Sequence, residues 1–348
     1  MAWNIHAQDW AVSLLKSHAA GDKLRHAYLI TGPEGVGRQT LAVNFAQALN
    51  CTNPPQPGEF CGNCRDCRQL ADLTHPDLSL LLPVEDHKDI LIDQVRALQH
   101  TLALSPYSGA YRIALLPDFQ RATKSAANAL LKTLEEPPDR VILLLTATAP
   151  EVLLPTVVSR CEVIRLRPAS IQATQAYLHA QRGLDADRAR LLAHISGGRI
   201  GAAIRMAEDP AALQERRSYL DELLALLPIK HYLRFKRIER FSKSIDKSRQ
   251  KLGEIFPVWQ SFWRDVFLRA AGESLPLVNV DLEAQIGQVA AQVTAERARD
   301  LVIAHQAAIQ HLDANANIQL LLETLVLQWP LVAVQPAEED VLLKVEMD

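Results

Sequence analysis

Four of the five cysteines fall within seventeen positions, as Cys51-x9-Cys61-x2-Cys64-x2-Cys67. Tight CxxC loops aim several thiolates at one point, and four thiolates complete the tetrahedral shell of a zinc ion. A closed shell leaves no position for water, so the spacing predicts a structural Zn2+ site rather than a catalytic one. Metal binding of this kind stabilises a small coreless module by on the order of 10 kcal/mol. Asn53, Pro54, Pro55, Gln56, Pro57 and Gly58 are loop formers, consistent with a zinc-binding insertion at about residues 50–70. An iron–sulfur cluster and unliganded reduced thiols are the rival readings. The first is weakened because no Cys-Pro pair follows the CxxCxxC run. Cys161 stands apart and reads as a small buried residue.

A second constellation is Gly32-Pro33-Glu34-Gly35-Val36-Gly37-Arg38-Gln39-Thr40. Its position and glycine spacing match the phosphate-binding pattern GxxxxGK[ST]. The two residues that touch phosphate and magnesium do not match. Arg38 stands where lysine belongs, Gln39 stands where the hydroxyl belongs, and Thr40 comes one residue late. A guanidinium is larger and planar where a compact point charge is needed, and an amide replaces a magnesium ligand poorly. A later apolar run should end in a metal-binding aspartate and a water-activating glutamate. It reads Leu115-Leu116-Pro117-Asp118-Phe119, so Asp118 survives and Phe119 occupies the base position. Two separate stations have lost their chemistry on an intact frame. The expectation is a nucleotide-binding fold that no longer hydrolyses nucleotide.

The elements that must position these residues alternate. Apolar runs at 27–30, 78–82, 113–116 and 141–145, with a weaker one at 162–166, read as strands buried on both faces. Helical patterns lie between them at 39–49, 92–104 and 125–134. This alternation predicts a parallel sheet with helices on both faces. After Pro168 the pattern becomes helical, with three short helices at 171–183, 187–196 and 200–207 and a boundary near Pro210. Val258, Trp259, Phe262, Trp263, Val266 and Phe267, then Ile318, Leu321, Leu322, Leu325 and Val326, repeat at helical spacing and predict a helical bundle. The acidic tail Glu338-Glu339-Asp340 reads as loose.

Composition limits the function classes. The chain has 348 residues, too many for one ordinary domain. Its 37 basic and 40 acidic side chains leave −3, which excludes a globally basic surface for gripping nucleic acid. The 5 Trp, 6 Tyr and 8 Phe are too few for a stacking platform along the whole chain. No stretch approaches the ~18 uninterrupted apolar residues of a membrane span, and Met1 to His6 lack a signal pattern, so a cytoplasmic protein is expected. One local exception is 230–251, with nine basic and two acidic residues, a local +7. A solvated helix face is the expectation there, with contact to DNA phosphates as the rival.

Several stretches converge on one family. The altered phosphate loop is followed by the cysteine cluster, then by His75-Pro76-Asp77-Leu78. Next come Asn128-Ala129-Leu130-Leu131-Lys132-Thr133-Leu134-Glu135-Glu136-Pro137-Pro138 and finally Ser159-Arg160-Cys161. Over about residues 20–210 the chain resembles the AAA+ clamp-loader family of bacterial DNA polymerase III. Within that family the broken phosphate loop resembles the delta-prime branch, because the motor subunits keep Lys-Thr there.

The resemblance implies an α/β AAA+ P-loop-type domain at 1–168 with the zinc insertion, a small helical lid at 169–208, and an all-α collar at 209–348. It implies a non-catalytic, stator-like subunit that binds no ATP itself. It also implies as partners the motor (gamma/tau) and delta subunits in a five-subunit ring, with the sliding clamp and primed DNA reached through the complex and no membrane. The chain would thereby belong to a nucleotidyltransferase holoenzyme. From Ser159-Arg160-Cys161 alone, Arg160 is equally a surface arginine. By the resemblance it is a finger reaching the ATP of a neighbouring motor subunit, where a trans arginine can matter by ~10³-fold. A phosphate-sensing arginine is expected in the lid, but its register falls on Gly201, with Arg199 close by. Two alternatives remain: a weak ATPase using Arg38, and a stand-alone zinc-containing DNA-binding module.

Overall fold

The computed structural model describes residues 3, 5–21, 23–84, 89–244, 249–314 and 316–334. The acidic tail at Glu338–Asp340 lies outside the described residues. The chain divides into two compact units, residues 1–174 with 198–202, and residues 175–197 with 203 onward.

The first unit is built on five parallel strands, β1 (Ala27–Thr31), β2 (Leu78–Leu80), β3 (Arg112–Leu116), β4 (Val141–Ala147) and β5 (Glu162–Arg165). Their order in the sheet is β2-β3-β4-β1-β5. Helices α1 (Asp9–Ala19), α2 (Arg38–Asn50), α3 (Arg65–Ala71), α4 (Ile92–Leu102), α5 (Lys124–Glu135) and α6 (Pro155–Val158) surround it.

Alternation along each strand sends side chains to opposite faces. Tyr28, Ile30, Ile113, Leu115, Ile142 and Leu144 therefore join one core layer with Leu41 and Phe45 of α2. Leu29, Ala114, Leu116, Leu143 and Leu145 join the other with Leu98 of α4 and Leu130 of α5. Burial on both faces holds for β1, β3 and β4, every residue of which is buried. It does not hold for β2 and β5, which are half-buried because they are the sheet edges. A parallel sheet covered by helices on both faces is the arrangement expected from the sequence; the strand order is set by the tertiary structure.

Three helices of the first unit were not legible as periodic patterns, the four-residue α6 among them. α1 precedes the first strand, and α3 lies inside the cysteine segment, where loop was expected.

The remaining helices are α7 (Ile171–Arg182), α8 (Ala186–Ser196), α9 (Ile200–Glu208), α10 (Pro210–Leu226), α11 (His231–Ser244), α12 (Arg249–Ala270), α13 (Glu283–Ala290), α14 (Ala295–Asp313) and α15 (Ile318–Leu327). Pro210 opens α10 at its first position, where a missing N–H costs nothing, and Asp209 caps it. The second unit holds a small core of Leu178, Ala189, Leu192 and Ala203. Its larger core is centred on Trp259, Trp263 and Trp329. Trp259 and Trp329 meet edge to face at 5.0 Å between ring centroids. No helix among the described residues is long and apolar enough to cross a membrane.

Two buried basic side chains, one charged and one neutral, shape this helical unit. Among the described residues Arg234 has no carboxylate partner. Its guanidinium donates to the carbonyls of Leu226 (2.9 Å), Leu227 (2.7 Å), Trp329 (2.6 Å) and Pro330 (2.6 Å), tying the exposed C-terminal carbonyls of α10 to the segment after α15. His305 is stacked on Trp329, with Nδ1 2.7 Å from the Leu301 carbonyl. Burial pushes its pKa down to about 4, against the opposing carbonyl bond.

Because the unfolded chain binds a proton near pH 6.5 and the folded unit does not, stability is full above that pH. It falls as pH drops toward about 4. We expect a loss of about 3 kcal/mol between pH 7 and 4 from this residue, read by urea unfolding at each pH. His305→Leu should flatten that slope.

Candidate functional site

The phosphate loop leaves the end of β1 and enters α2 at Arg38, with Gly37 as the N-cap in the left-handed region (φ 102°). The strand–loop–helix frame expected from the sequence is present, and two of its charged groups face each other. Arg38 is 8% exposed, and its Nη2 lies 2.9 Å from Oδ1 of Asp118. The residue in the lysine position and the carboxylate in the magnesium position thus neutralise one another. Asp118 is held in place by its backbone N–H, which donates to Thr146 Oγ1 at 2.9 Å. Phe119, in the base position, is buried in the core layer that contains Leu116 and Leu130. Gln39 and Thr40 lie exposed on the first turn of α2.

The start of α9 closes against the same loop. Gly201 donates its N–H to the Gly35 carbonyl at 2.9 Å. A Cβ on Gly35 (φ +81°) would sit 2.7 Å from Ala202 Cβ, and a Cβ on Gly201 would sit 2.8 Å from the Gly35 oxygen. Gly201 is the register of the expected sensing arginine. A side chain there collides with the phosphate loop itself, so its loss and the close packing of the loop are one fact.

Arg160 lies elsewhere. All five strands are parallel, so the segment entering β5 lies at the edge where strands begin, and the phosphate loop lies where they end. Five residues of strand separate those edges by ~16 Å. α6 and the turn after it present Ser159, Arg160 and Cys161 in succession. The Arg160 N–H donates to the Val157 carbonyl and the Cys161 N–H to the Val158 carbonyl. Cys161 packs half-buried under the turn against the core, and burial pushes its thiol up to about 12, so it is an inert anchor.

The Arg160 side chain is 35% exposed. Its Nη2 meets Glu135 Oε1 at 2.7 Å, and its Nη1 meets the Thr156 carbonyl at 3.0 Å and Ser159 Oγ at 3.4 Å. Glu135 ends α5, the helix formed by the Asn128–Glu136 stretch. That helix is capped by Thr123 and buried through Ala126, Leu130 and Leu134. Two stretches noted separately in the sequence therefore meet in one ion pair, which no spacing rule could show.

The four cysteine sulfurs of the insertion lie within 4.8 Å of one another. Four thiolates at ~2.3 Å from a zinc ion stand ~3.8 Å apart, so the cluster fits a tetrahedral metal with little movement. Backbone N–H groups already point at the sulfurs: Cys61 to Cys51 Sγ (3.2 Å), Cys64 to Cys61 Sγ (3.2 Å) and Cys67 to Cys64 Sγ (3.4 Å). Burial alone would raise Cys64. The Cys67 N–H and contacts with Thr52 outweigh it and bring the thiol down to about 6, suiting it to metal as thiolate. Cys64 is also the N-cap of α3.

The loop is anchored on several sides. Gln47 of α2 donates to the Cys67 carbonyl (2.8 Å), Trp3 packs on Phe60, and Lys16 pairs with Glu59 (2.8 Å). Gly58 (φ +79°) lies so close to α1 that a Cβ would sit 2.1 Å from the Lys16 carbonyl.

The His75-Pro76-Asp77 step links the insertion to the sheet. His75 Nε2 lies 3.2 Å from Asp66 Oδ1 on α3. Asp77 is buried and accepts the N–H groups of Tyr107 (2.6 Å), Ser108 (2.8 Å) and Gly109 (2.8 Å) while facing Arg112 at 3.3 Å. Burial opposes its ionisation, but those bonds and the guanidinium hold its carboxyl below the usual carboxylate range.

The basic stretch at 230–251 does not form one charged face. Arg234 is buried, Arg237 pairs with Glu222 (2.8 Å), Lys251 with Glu215 (2.9 Å), and Arg249 bonds the carbonyls of Leu312 and Ala316. Lys230, Lys236 and Arg240 are exposed, with Lys236 lying 4.8 Å from the centre of the Tyr232 ring. Asp246, Lys247 and the side chain of Lys243 lie outside the described residues.

The family model described as DNA polymerase III, delta subunit, matches residues 7–170. That described as DNA polymerase III, delta subunit, C terminal, matches residues 211–330. The DNA polymerase III subunit delta' of Bacillus subtilis is 28% identical over 321 residues, 92% of this chain and 95% of that protein. That of Pseudomonas aeruginosa is 41% identical over 152 residues, 44% of this chain and 46% of that protein. Among solved structures, a DNA polymerase III gamma subunit-related protein from Thermotoga maritima is 20% identical over 91% of this chain and 97% of that one, with a TM-score of 0.42. The chain belongs to the DNA polymerase III delta-prime family.

Proposed function

We propose that the chain is a non-catalytic clamp-loader subunit that binds no productive ATP and donates Arg160 to the ATP held by a neighbouring motor subunit. The observation that carries this is the contrast between two edges of one sheet. At one edge Arg38 and Asp118 are paired with each other; at the other Arg160 is exposed and already oriented. Catalysis in trans needs only the second. A guanidinium beside a γ-phosphate stabilises the charge spread over its oxygens in the transition state, and contributes most where water is excluded by an interface.

The proposed partners are the motor (gamma/tau) and delta subunits of a five-subunit ring in the cytoplasm, with the sliding clamp and primed DNA engaged through the complex. In that ring the chain serves as a rigid stator, divided into a sheet domain (1–168), a lid (169–208) and a collar (209–348). Ser159 and Cys161 set the turn that presents Arg160.

The isolated chain should show no saturable ATP binding by calorimetry and no turnover. In the reconstituted loader, Arg160→Ala should lower DNA-stimulated hydrolysis at the site it faces by up to ~10³-fold. Turnover by the lone chain, abolished in Arg38→Ala, would establish the weak-ATPase alternative instead.

We further propose Zn2+ as the metal of Cys51, Cys61, Cys64 and Cys67, in a structural role. When bound, the ion supplies a cross-link among four chain positions and no reaction step. Elemental analysis should return about one zinc per chain. Cys67→Ser should lose the metal and melt at lower temperature than the parent protein. Iron in place of zinc, or a metal-free variant of unchanged stability, would refute the assignment.

A further inference from the structure

We propose that Glu135 is the positioning residue for Arg160, holding its guanidinium in the orientation used across the subunit interface. This rests on the trans-finger role of Arg160. A free arginine side chain carries several rotatable bonds, and fixing them at the moment of reaction has an entropic cost. Here the cost is met in advance. Glu135 Oε1 takes one N–H of Nη2 at 2.7 Å, while the Thr156 carbonyl at 3.0 Å and Ser159 Oγ at 3.4 Å take Nη1. Guanidinium has five N–H donors, so at least two are left for phosphate oxygens.

The carboxylate is itself fixed. It sits on the last residue of α5, a helix anchored by buried Leu130 and Leu134 and stopped by Pro137 and Pro138. His26 Nε2, 3.0 Å from the Leu134 carbonyl, secures the same turn. Thr156 and Ser159 belong to α6 and its C-cap. The finger is therefore held from two elements, and only Glu135 contributes a charge.

An exposed ion pair contributes little to folding, so its removal should leave the fold intact. Its effect should appear in the rate instead, because catalysis is sensitive to small errors of placement. The chain assembled with its motor and delta partners is assayed for DNA-stimulated ATP hydrolysis, with Glu135→Ala, Glu135→Gln, Arg160→Ala and the Glu135→Ala/Arg160→Ala double variant. We expect Glu135→Ala to lower kcat about 5- to 10-fold with KM for ATP unchanged. Glu135→Gln keeps an acceptor oxygen and should fall between the two. The double variant should match Arg160→Ala alone, because Glu135 acts only through Arg160. Thermal melts of each isolated variant check the fold. Full activity of Glu135→Ala beside an impaired Arg160→Ala, or losses that multiply in the double variant, would overturn the positioning role and leave the finger standing. An unimpaired Arg160→Ala would overturn the finger, and the positioning role with it.

Discussion

A parallel sheet cannot leave either face in water, and the rest of the first unit follows from covering both. β1, β3 and β4 are buried from end to end, so only their ends are free to carry chemistry. The strands run in one direction, so those ends are of two kinds. The edge where strands finish holds the phosphate loop and Asp118. The edge where they begin holds the turn with Arg160 and the last residue of α5. A chain can lose the chemistry of one edge without disturbing the other, because the buried strands between them are indifferent to both.

At the finishing edge the loss is self-consistent. Arg38, at the lysine position, pairs with Asp118; Phe119, at the base position, is core; Gly201, at the arginine register, lets the backbone of α9 touch Gly35. Arg38 and Asp118 partner each other there, and Phe119 and Gly201 add no charge that would need a partner. A reversal at one position alone would therefore meet a neighbour already adapted to its absence.

The cysteine insertion follows a different rule. It has few apolar side chains of its own, so it borrows surface from α1 and α2 and gathers its four sulfurs within 4.8 Å of one another. His75 and Asp77 then carry that attachment into the sheet edge through Asp66 and Arg112. In the helical unit Arg234 does comparable work with carbonyls in place of sulfurs, joining the ends of α10 and α15, which lie far apart in the chain.

Five strands, most of the helices, the four sulfur ligands and the altered phosphate loop were legible because each depends on residues close in sequence: apolar periodicity, CxxC steps, glycine spacing. α1 and α3 were not, since one has a mixed apolar pattern and the other is a single short stretch stabilised by its cap and neighbours. The local +7 at 230–251 is a count of charges, which cannot tell buried Arg234 or paired Arg237 from exposed Lys236. The sequence by itself determined which residue types stand at each station, and so where the chain departs from the phosphate-loop pattern. Only the tertiary structure decided what those residues do instead: Arg38 with Asp118, Gly201 with Gly35, Glu135 with Arg160. These pairs lie between 25 and 166 positions apart, and only the packing of helices on a two-faced sheet brings them within hydrogen-bond reach.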